Sequence, residues 1–467
     1  MSTRQNTAPS APITSKADLI DAIAQGAKPK VQWRIGTEHE KFIFDAKTKA
    51  PIPYGGPRGI QAILKGMIAN SGWEAIEDGG NVIALKRPDG ETGSPLTGTI
   101  SLEPAGQFEL SGAPLETLHQ VSAETAAHLE DVRRVIAPMG LAMAGLGHTP
   151  HWSRDDLDTM PKPRYGIMKR HMPKVGSRGL DMMFRTCTIQ VNLDFGSEAD
   201  MVQKLRVAIA LQPIATALFA SSPFVDGKPS GFKSTRSEIW RHTDNTRTGM
   251  LPFAFEDGMG FERYVDYALD VPMYFVYRDG QYIDLAGASF RDFLGGKLTA
   301  VKGITPTLDD WNDHLTTLFP EARVKRFIET RGADSGRAPF ITALPAFWVG
   351  LLYDQAALDA ATDLIKGWTA AEREALRAQV PAQGLQTPFR QRTVRDIAKE
   401  ALDIAELGLI RRAKDMPALN GQPDETQHIA VLKDIVASGK SVADVLLDAY
   451  NGPWAGDATK AFEIQAV

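Results

Sequence analysis

Two glutamates spaced two residues apart are the first residues whose pattern suggests chemistry. Glu38 and Glu40 flank His39 in the stretch from Gln32 to Phe44, QWRIGTEHEKFIF, which is rich in β-branched and aromatic residues and reads as a strand. Residues i and i+2 of a strand face the same way, about 7 Å apart along it. Two carboxylates on one face repel, and burying them unpaired is costly, so solvent, basic partners or divalent cations must compensate. A plain surface strand accounts for the pair equally well. Glu103, Gln107 and Glu109 lie in SLEPAGQFELSG, with Gln107 and Glu109 on one strand face. Their neighbours Leu102, Phe108 and Leu110 weaken the alternative of a solvated edge. In FRTCTIQVNLDF, Thr188, Gln190 and Asn192 alternate with Ile189, Val191 and Leu193, which fits a lined cavity or a water-facing sheet.

Glu329 and Arg331 share a face in RFIETRGADSG, near Asp334. A salt bridge between them is the plain reading. The functional one gives the carboxylate to a metal and the guanidinium to phosphate, whose charge and geometry it matches. The segment STRSEIWRHTDNTRTGMLP gathers Arg236, Trp240, Arg241 and Arg247. Arginines there suit bidentate capture of a substrate carboxylate and Trp240 suits a pocket wall, while an exposed loop is the alternative. Together these segments offer the hard oxygen ligands that magnesium prefers. No Cys/His cluster at zinc spacing competes. Gly231-Phe232-Lys233-Ser234-Thr235 resembles the tail of a phosphate-binding loop, but Gly227 is wrongly spaced and Phe232 stands where glycine is needed. ATP, if bound, is bound by other means.

The elements that must position these residues are mixed. Beyond the strands above, Thr99 to Leu110 reads as one strand with a bulge or kink at Pro104-Ala105-Gly106. The strand around Gln190 runs from Phe184 to Phe195, and Met273 to Tyr277 with Gln281 to Leu285 forms a hairpin. Helical spacing covers Leu115 to Ala137 and Thr393 to Ala413, where Ile397, Ala401, Ile404 and Leu407 form the apolar stripe. Ser441 with Asp444 is a capping box opening a helix to about Tyr450. The fold class is α+β, with a largely antiparallel sheet and a helical C-terminal third, about 355–467.

Composition narrows the rest. The 467 residues are 43% hydrophobic and 23% charged with a net charge of -5, which disfavours a nucleic-acid surface. Leu205 to Ala220 and Ile341 to Tyr353 are the most apolar stretches and fall short of the roughly 20 residues needed to span a bilayer. Both read as core, with no membrane role. The only cysteine is Cys187, which excludes an intrachain disulfide and suits a reducing, cytoplasmic setting. Residues 1–16 lack an apolar signal and read as a disordered tail before a single catalytic domain, 17–467.

The segments IGTEHEKFIF, ISLEPAGQFELSGAPLETLHQ, MMFRTCTIQVNLDF, STRSEIW with NTRTGMLP, and RFIETRGADSG followed by LPAFWVGLLYD resemble, in this order, the plant and proteobacterial type of glutamate–cysteine ligase. The resemblance implies a fold related to glutamine synthetase, a curved antiparallel sheet forming a funnel with helices outside. It implies that ATP phosphorylates the side-chain carboxylate of L-glutamate and that the amine of L-cysteine then displaces phosphate, in a monomer or homodimer. On these positions it makes Glu38, Glu40, Glu103, Glu109 and Glu329 ligands of two or three magnesium ions, with Gln190 as a further ligand. Arg331, with Glu38 and Glu329, then serves the phosphoryl transfer. Arg236 holds glutamate, Trp240 and Tyr277 wall the cysteine, and Arg247 and Asn192 complete the substrate contacts. Disulfide regulation, which the resemblance implies for the plant enzymes, would be missing from a chain with one cysteine. The product serves glutathione or ergothioneine synthesis. The alternatives are a ligase for another amine, a metal-dependent phosphohydrolase, and a non-catalytic binding protein.

Overall fold

The computed structural model describes residues 10–88 and 98–467. Its frame is a sheet of nine strands: β1 (Ile35–Asp45), β2 (Glu74–Asp78), β3 (Asn81–Lys86), β4 (Thr99–Leu102), β5 (Phe108–Ser111), β6 (Leu141–Ala144), β7 (Thr188–Leu193), β8 (Ala322–Val324) and β9 (Ile328–Asp334). The order is β8-β9-β7-β1-β5-β4-β3-β2, with β6 pairing the far end of β1. Every pairing is antiparallel and the sheet stays open. β1 is central because its 11 residues pair β5 and β7 along the first half and β6 along the second.

Helices close the sheet: α1 (Lys16–Ala24), α2 (Leu118–Ile136), α3 (Pro163–Val175), α4 (Gly179–Arg185), α5 (Glu198–Phe219), α6 (Thr235–Arg241), α7 (Ala338–Leu352) and α8 (Val394–Asp415) are those that bear on the site. α5 packs on β9, while α7 packs between α8, α2 and β7. Both long apolar stretches are therefore core helices, since a helix that is apolar all round must be covered all round. No single helix among the described residues is long and apolar enough to cross a membrane.

Four expectations shift, each for a local reason. The stretch Thr99–Leu110 is a hairpin and not one kinked strand. Pro104 cannot extend the ladder, and Gly106, at φ +83°, turns the chain so that its N–H donates to Glu103 O at 2.9 Å. Glu103 thus sits on the turn. Phe184 and Arg185 close α4, so the strand begins only at Thr188. Leu407 is 52% exposed, because α8 buries Ile397, Ala398, Ala401, Leu402, Ala405 and Leu409 instead. Residues 1–9 of the expected tail lie outside the described residues. Residues 10–16 are held in place: Pro12 bridges Thr307, Leu308 N donates to Ala11 O at 3.0 Å, and Ser15 caps α1. Backbone pairing overrides the polar composition there.

Candidate active site

β1, the β4–β5 turn, β7, β9 and α6 converge on one cavity of about 100 Å³. Glu38, Glu40, Glu103, Gln190, Arg236, Trp240 and Arg331 all line it, so residues nearly 300 positions apart in sequence share a wall. β1 delivers Glu38 and Glu40 by the period-two rule, while His39 and Lys41 point to the far side, where Lys41 Nζ lies 2.9 Å from His128 Nε2. Glu38 is register partner to Gln190 on β7, and Glu40 to Glu109 on β5. Opposite this polar wall stand Tyr165, Met168, Met182, Met183, Phe275 and Phe319.

The carboxylates form two electrostatic groups. Glu40, Glu103 and Glu109 lie together, and all three carboxyls are pushed up although the charges of Lys162, Arg164 and Arg331 pull Glu103 down and that of Arg236 pulls Glu40 down. Burial is the main cause for each. The charges of Glu103 and Glu109 raise Glu40 further, and those of Glu38 and Glu103 help push Glu109 up to about 7. Glu40 accepts from Thr188 N at 3.0 Å and Glu109 from Ser101 Oγ at 2.6 Å. Oε1 of Glu103 and Oε1 of Glu109 are buried without a hydrogen-bond partner among the described residues.

Glu329 is the opposite case. Its carboxylate is fully buried, yet it is held well below the usual carboxylate range, because Arg323, Lys325 and Arg331 outweigh the cost of burial. Arg323 grips it through Nη2, which donates to Oε1 at 2.7 Å, and Nε, which donates to Oε2 at 3.3 Å. Lys325 Nζ lies 3.0 Å away, and Arg331 Nη1 also donates to it. Arg331 Nη1 donates as well to Gln190 Oε1 at 2.5 Å, and the guanidinium lies 6.0 Å from the Trp240 ring centre. Arg236 Nη2 donates to Arg331 O at 2.8 Å. Arginines and carboxylates therefore interleave along one cavity.

Five predicted site residues do not line this cavity. Glu109 is absent from the lining although it is the register partner of Glu40, and Glu329, expected as a metal ligand, is instead engaged by Arg323, Lys325 and Arg331. Arg247 is fully buried and saturated by Asp244 at 2.7 Å, Thr317 O at 3.0 Å and Pro272 O at 2.8 Å, with Tyr274 stacked 4.0 Å away. It braces the scaffold, and its substrate role is corrected accordingly. Tyr277 packs on Tyr282 within the hairpin Phe275–Arg278 and Gln281–Asp284, and Phe275 is the hairpin residue that reaches the cavity. Asn192 donates to Glu38 Oε1 at 2.9 Å and so orients a carboxylate behind the lining. Sequence reasoning missed Arg164 on α3 and Arg323 on β8, both of which line the cavity, whereas Thr188 on β7, read as part of the polar face, lines it as well. Lys162 and Arg164, alternating with Pro161 and Pro163 at a helix start, were the signal for the first. For Arg323 it was the strand partner of Glu329.

A profile of glutamate-cysteine ligase family 2 matches residues 34–463. The chain belongs to this family. The glutamate–cysteine ligase of Nicotiana tabacum, named chloroplastic, is 52% identical over 452 residues, covering 97% of this chain and 83% of its own length. That of Medicago truncatula, also named chloroplastic, is 53% identical over 453 residues, covering 97% and 85%. The crystal structure of a Francisella tularensis glutamate–cysteine ligase in complex with AMP superposes with a TM-score of 0.54 at 14% identity, covering 93% of this chain and 87% of that one. At that identity the likeness shows the fold. The names of the plant ligases overturn the cytoplasmic setting expected from the single cysteine, since a lone thiol suits any reducing compartment.

A family of ligases that handle ATP raises the question of magnesium, and the residues answer it by their chemistry. No three His, Cys, Asp or Glu among the described residues stand close enough to form one ligand sphere. The donor set nonetheless fits a hard cation, because two buried carboxylate oxygens lack a hydrogen-bond partner among the described residues and burial disfavours the ionised form of both carboxyls. Glu103 and Glu109, which carry those oxygens, would offer it ligands, with water or substrate oxygens needed to complete the sphere and Glu40 and Glu38 acting through their charge.

Proposed function

We propose that this ligase, acting as one catalytic unit over 17–467, uses ATP and magnesium to join the side-chain carboxylate of glutamate to the amine of cysteine. The γ-phosphoryl group passes to a carboxylate oxygen, releasing ADP and leaving an acyl phosphate. The amine nitrogen then forms the new C–N bond, the C–O bond to phosphate breaks, and the amine loses a proton. A carboxylate is a poor electrophile and an acyl phosphate a good one. Such chemistry needs positioning and charge neutralisation more than a protein nucleophile. Magnesium at the acidic wall would neutralise phosphate oxygens. Arg331 supports the transferring group and Arg236 the substrate carboxylate, each with a fork suited to oxyanions. Glu38 and Glu329 serve the transfer, Glu329 by keeping Arg331 in reach. Trp240 and the methionine-rich wall take the remaining substrate.

The observation that carries this reading is the one cavity in which Glu38, Glu40 and Glu103, the last with an oxygen that lacks a hydrogen-bond partner among the described residues, meet Arg164, Arg236, Arg323 and Arg331. Purified protein with magnesium, ATP, glutamate and cysteine should form γ-glutamylcysteine with one ADP per product. Phosphate release at full rate without cysteine would instead identify a phosphohydrolase.

A further inference from the structure

β9 does not run regularly past the site. Glu329 pairs with Asn192 and Thr330 with Val191, but Ala333 then pairs with Ile189 and Asp334 with Thr188. Arg331 and Gly332 therefore both oppose Gln190, the two-against-one count of a β-bulge. The bulge changes which face the strand shows. In an unbroken strand Glu329, Arg331 and Ala333 would share the cavity face and Asp334 would point into the helices. With it, Arg331 keeps the cavity face and Asp334 returns to the side of Thr188, where it accepts from Ser222 Oγ at 2.6 Å and from Ser234 Oγ, the cap of α6, at 2.7 Å.

The bulge is clamped from behind by α5. Thr216 Oγ1 donates to Gly332 O at 3.0 Å, Arg331 N donates to Glu321 O at 3.1 Å, and Glu321 is itself held by Arg377 at 2.8 Å. Gln212, one turn before Thr216 and 1% exposed, lies flat against the bare Cα of Gly332. A Cβ at Gly332 would stand 2.6 Å from Gln212 Cγ and 2.7 Å from its Cδ. Gly332 is outside the left-handed region, so the close approach, and not backbone conformation, demands glycine. Gln212 has both amide atoms buried without a partner, so it is not there for its hydrogen bonds.

We infer that Gly332 and Thr216 are positioning residues for Arg331, and that the close packing of Gln212 on Gly332 sets where the bulge holds its guanidinium. This rests on the role given to Arg331 above. A misplacement near 1 Å lowers the rate of chemistry far more than it weakens binding.

The test is a compensation experiment with kinetics and melting curves on the whole enzyme. Gly332→Ala should lower kcat by about tenfold or more while leaving the KM values for glutamate and cysteine within about twofold. Adding Gln212→Ala, which removes the colliding atoms, should recover most of that loss. Wild-type kcat in Gly332→Ala, or a folded double variant as slow as the single one, overturns the inference. If Gly332→Ala does not fold, Thr216→Val decides: the same kcat-only loss with an unchanged melting temperature supports the inference, and a wild-type kcat overturns it. If the wild type makes no γ-glutamylcysteine, the functional reading has failed separately. A crystal structure of Thr216→Val then decides, support being displacement of Arg331 O from Arg236 Nη2, and retention of that contact being refutation.

Discussion

Glu40 and Glu109 are direct register partners across β1 and β5, at 7% and 0% exposure. Both are buried, so the sheet holds two carboxyls side by side, with the charge of Arg236 acting on Glu40 alone of the two. Such a pair resists ionising twice, and its energy is released when a cation enters.

Stability should therefore depend on pH in a defined sense. The Glu109 carboxyl is raised from 4.5 to about 7 by burial and then by Glu38 and Glu103, so the folded chain keeps a proton that the unfolded chain has lost. This contribution is fully present below the unfolded carboxyl range and is lost as pH rises through about 7. In metal-free protein, Glu109→Gln should thus gain stability over wild type as pH rises, while activity falls on the order of 10²-fold. Melting curves at several pH values check it. A wild-type-minus-variant difference that is flat with pH would remove the pair from the argument.

Arg236 reaches the cavity from α6, and burial pulls its guanidinium down while Asp334 and Glu40 hold it up. Lysine keeps the charge but not the planar fork. Arg236→Lys should raise the glutamate KM by about tenfold and the ATP KM by less than about twofold, since a lost bidentate pair costs roughly one hydrogen bond to a charged group. Equal effects on both substrates would place Arg236 elsewhere in the mechanism.

Arg247 should behave as scaffold. Lysine cannot span Asp244, Thr317 O and Pro272 O at once. Arg247→Lys should lose about 1–3 kcal/mol of stability from unsatisfied buried partners. Activity per folded molecule should hold. Denaturant titration with steady-state kinetics checks it, and a raised glutamate KM at unchanged stability would restore the substrate role read from sequence.

What was legible in the sequence followed from local rules. Period-two alternation placed Glu38 and Glu40 together, and the alternation at Gln190 placed that residue on the polar face. Capping boxes at Ser441 and the apolar phase of α2 were read from neighbours three and four residues away. What was not legible depends on distant partners. Asp244 stands only three residues before Arg247, but nothing nearby announces Thr317 O and Pro272 O, so a loop arginine looked free for substrate. Arg323 gained meaning only as the cross-strand partner of Glu329. The turn at Pro104–Gly106 reads as a kink until β4 and β5 are seen paired. The bulge at Arg331–Gly332 is set by α5, more than 100 residues earlier in the chain.

Cys187 tests the strand reading at a single atom. It precedes β7 in phase with Ile189, Val191 and Leu193, and all four are fully buried. Phe42, Phe44, Ala144, Leu146 and Trp152 belong to the same apolar cluster as the cysteine. Burial, then the charge of Glu40, pushes the thiol well above its ordinary range, so it stays protonated and slow to react. A disulfide within the chain needs a second cysteine, and there is none. A pairing between subunits needs an exposed sulfur, which this is not. Nor does the proposed chemistry use a protein nucleophile, because the substrate amine attacks the acyl phosphate directly. Cys187→Ser should therefore keep most of its activity and lose about 1–3 kcal/mol of stability from a hydroxyl placed in an apolar cluster. A thiol reagent should titrate the wild type only after denaturation. Activity should be the same in reductant and in mild oxidant. A reversible oxidative change in activity that vanishes in Cys187→Ser would mean that the cluster opens in solution and exposes the sulfur.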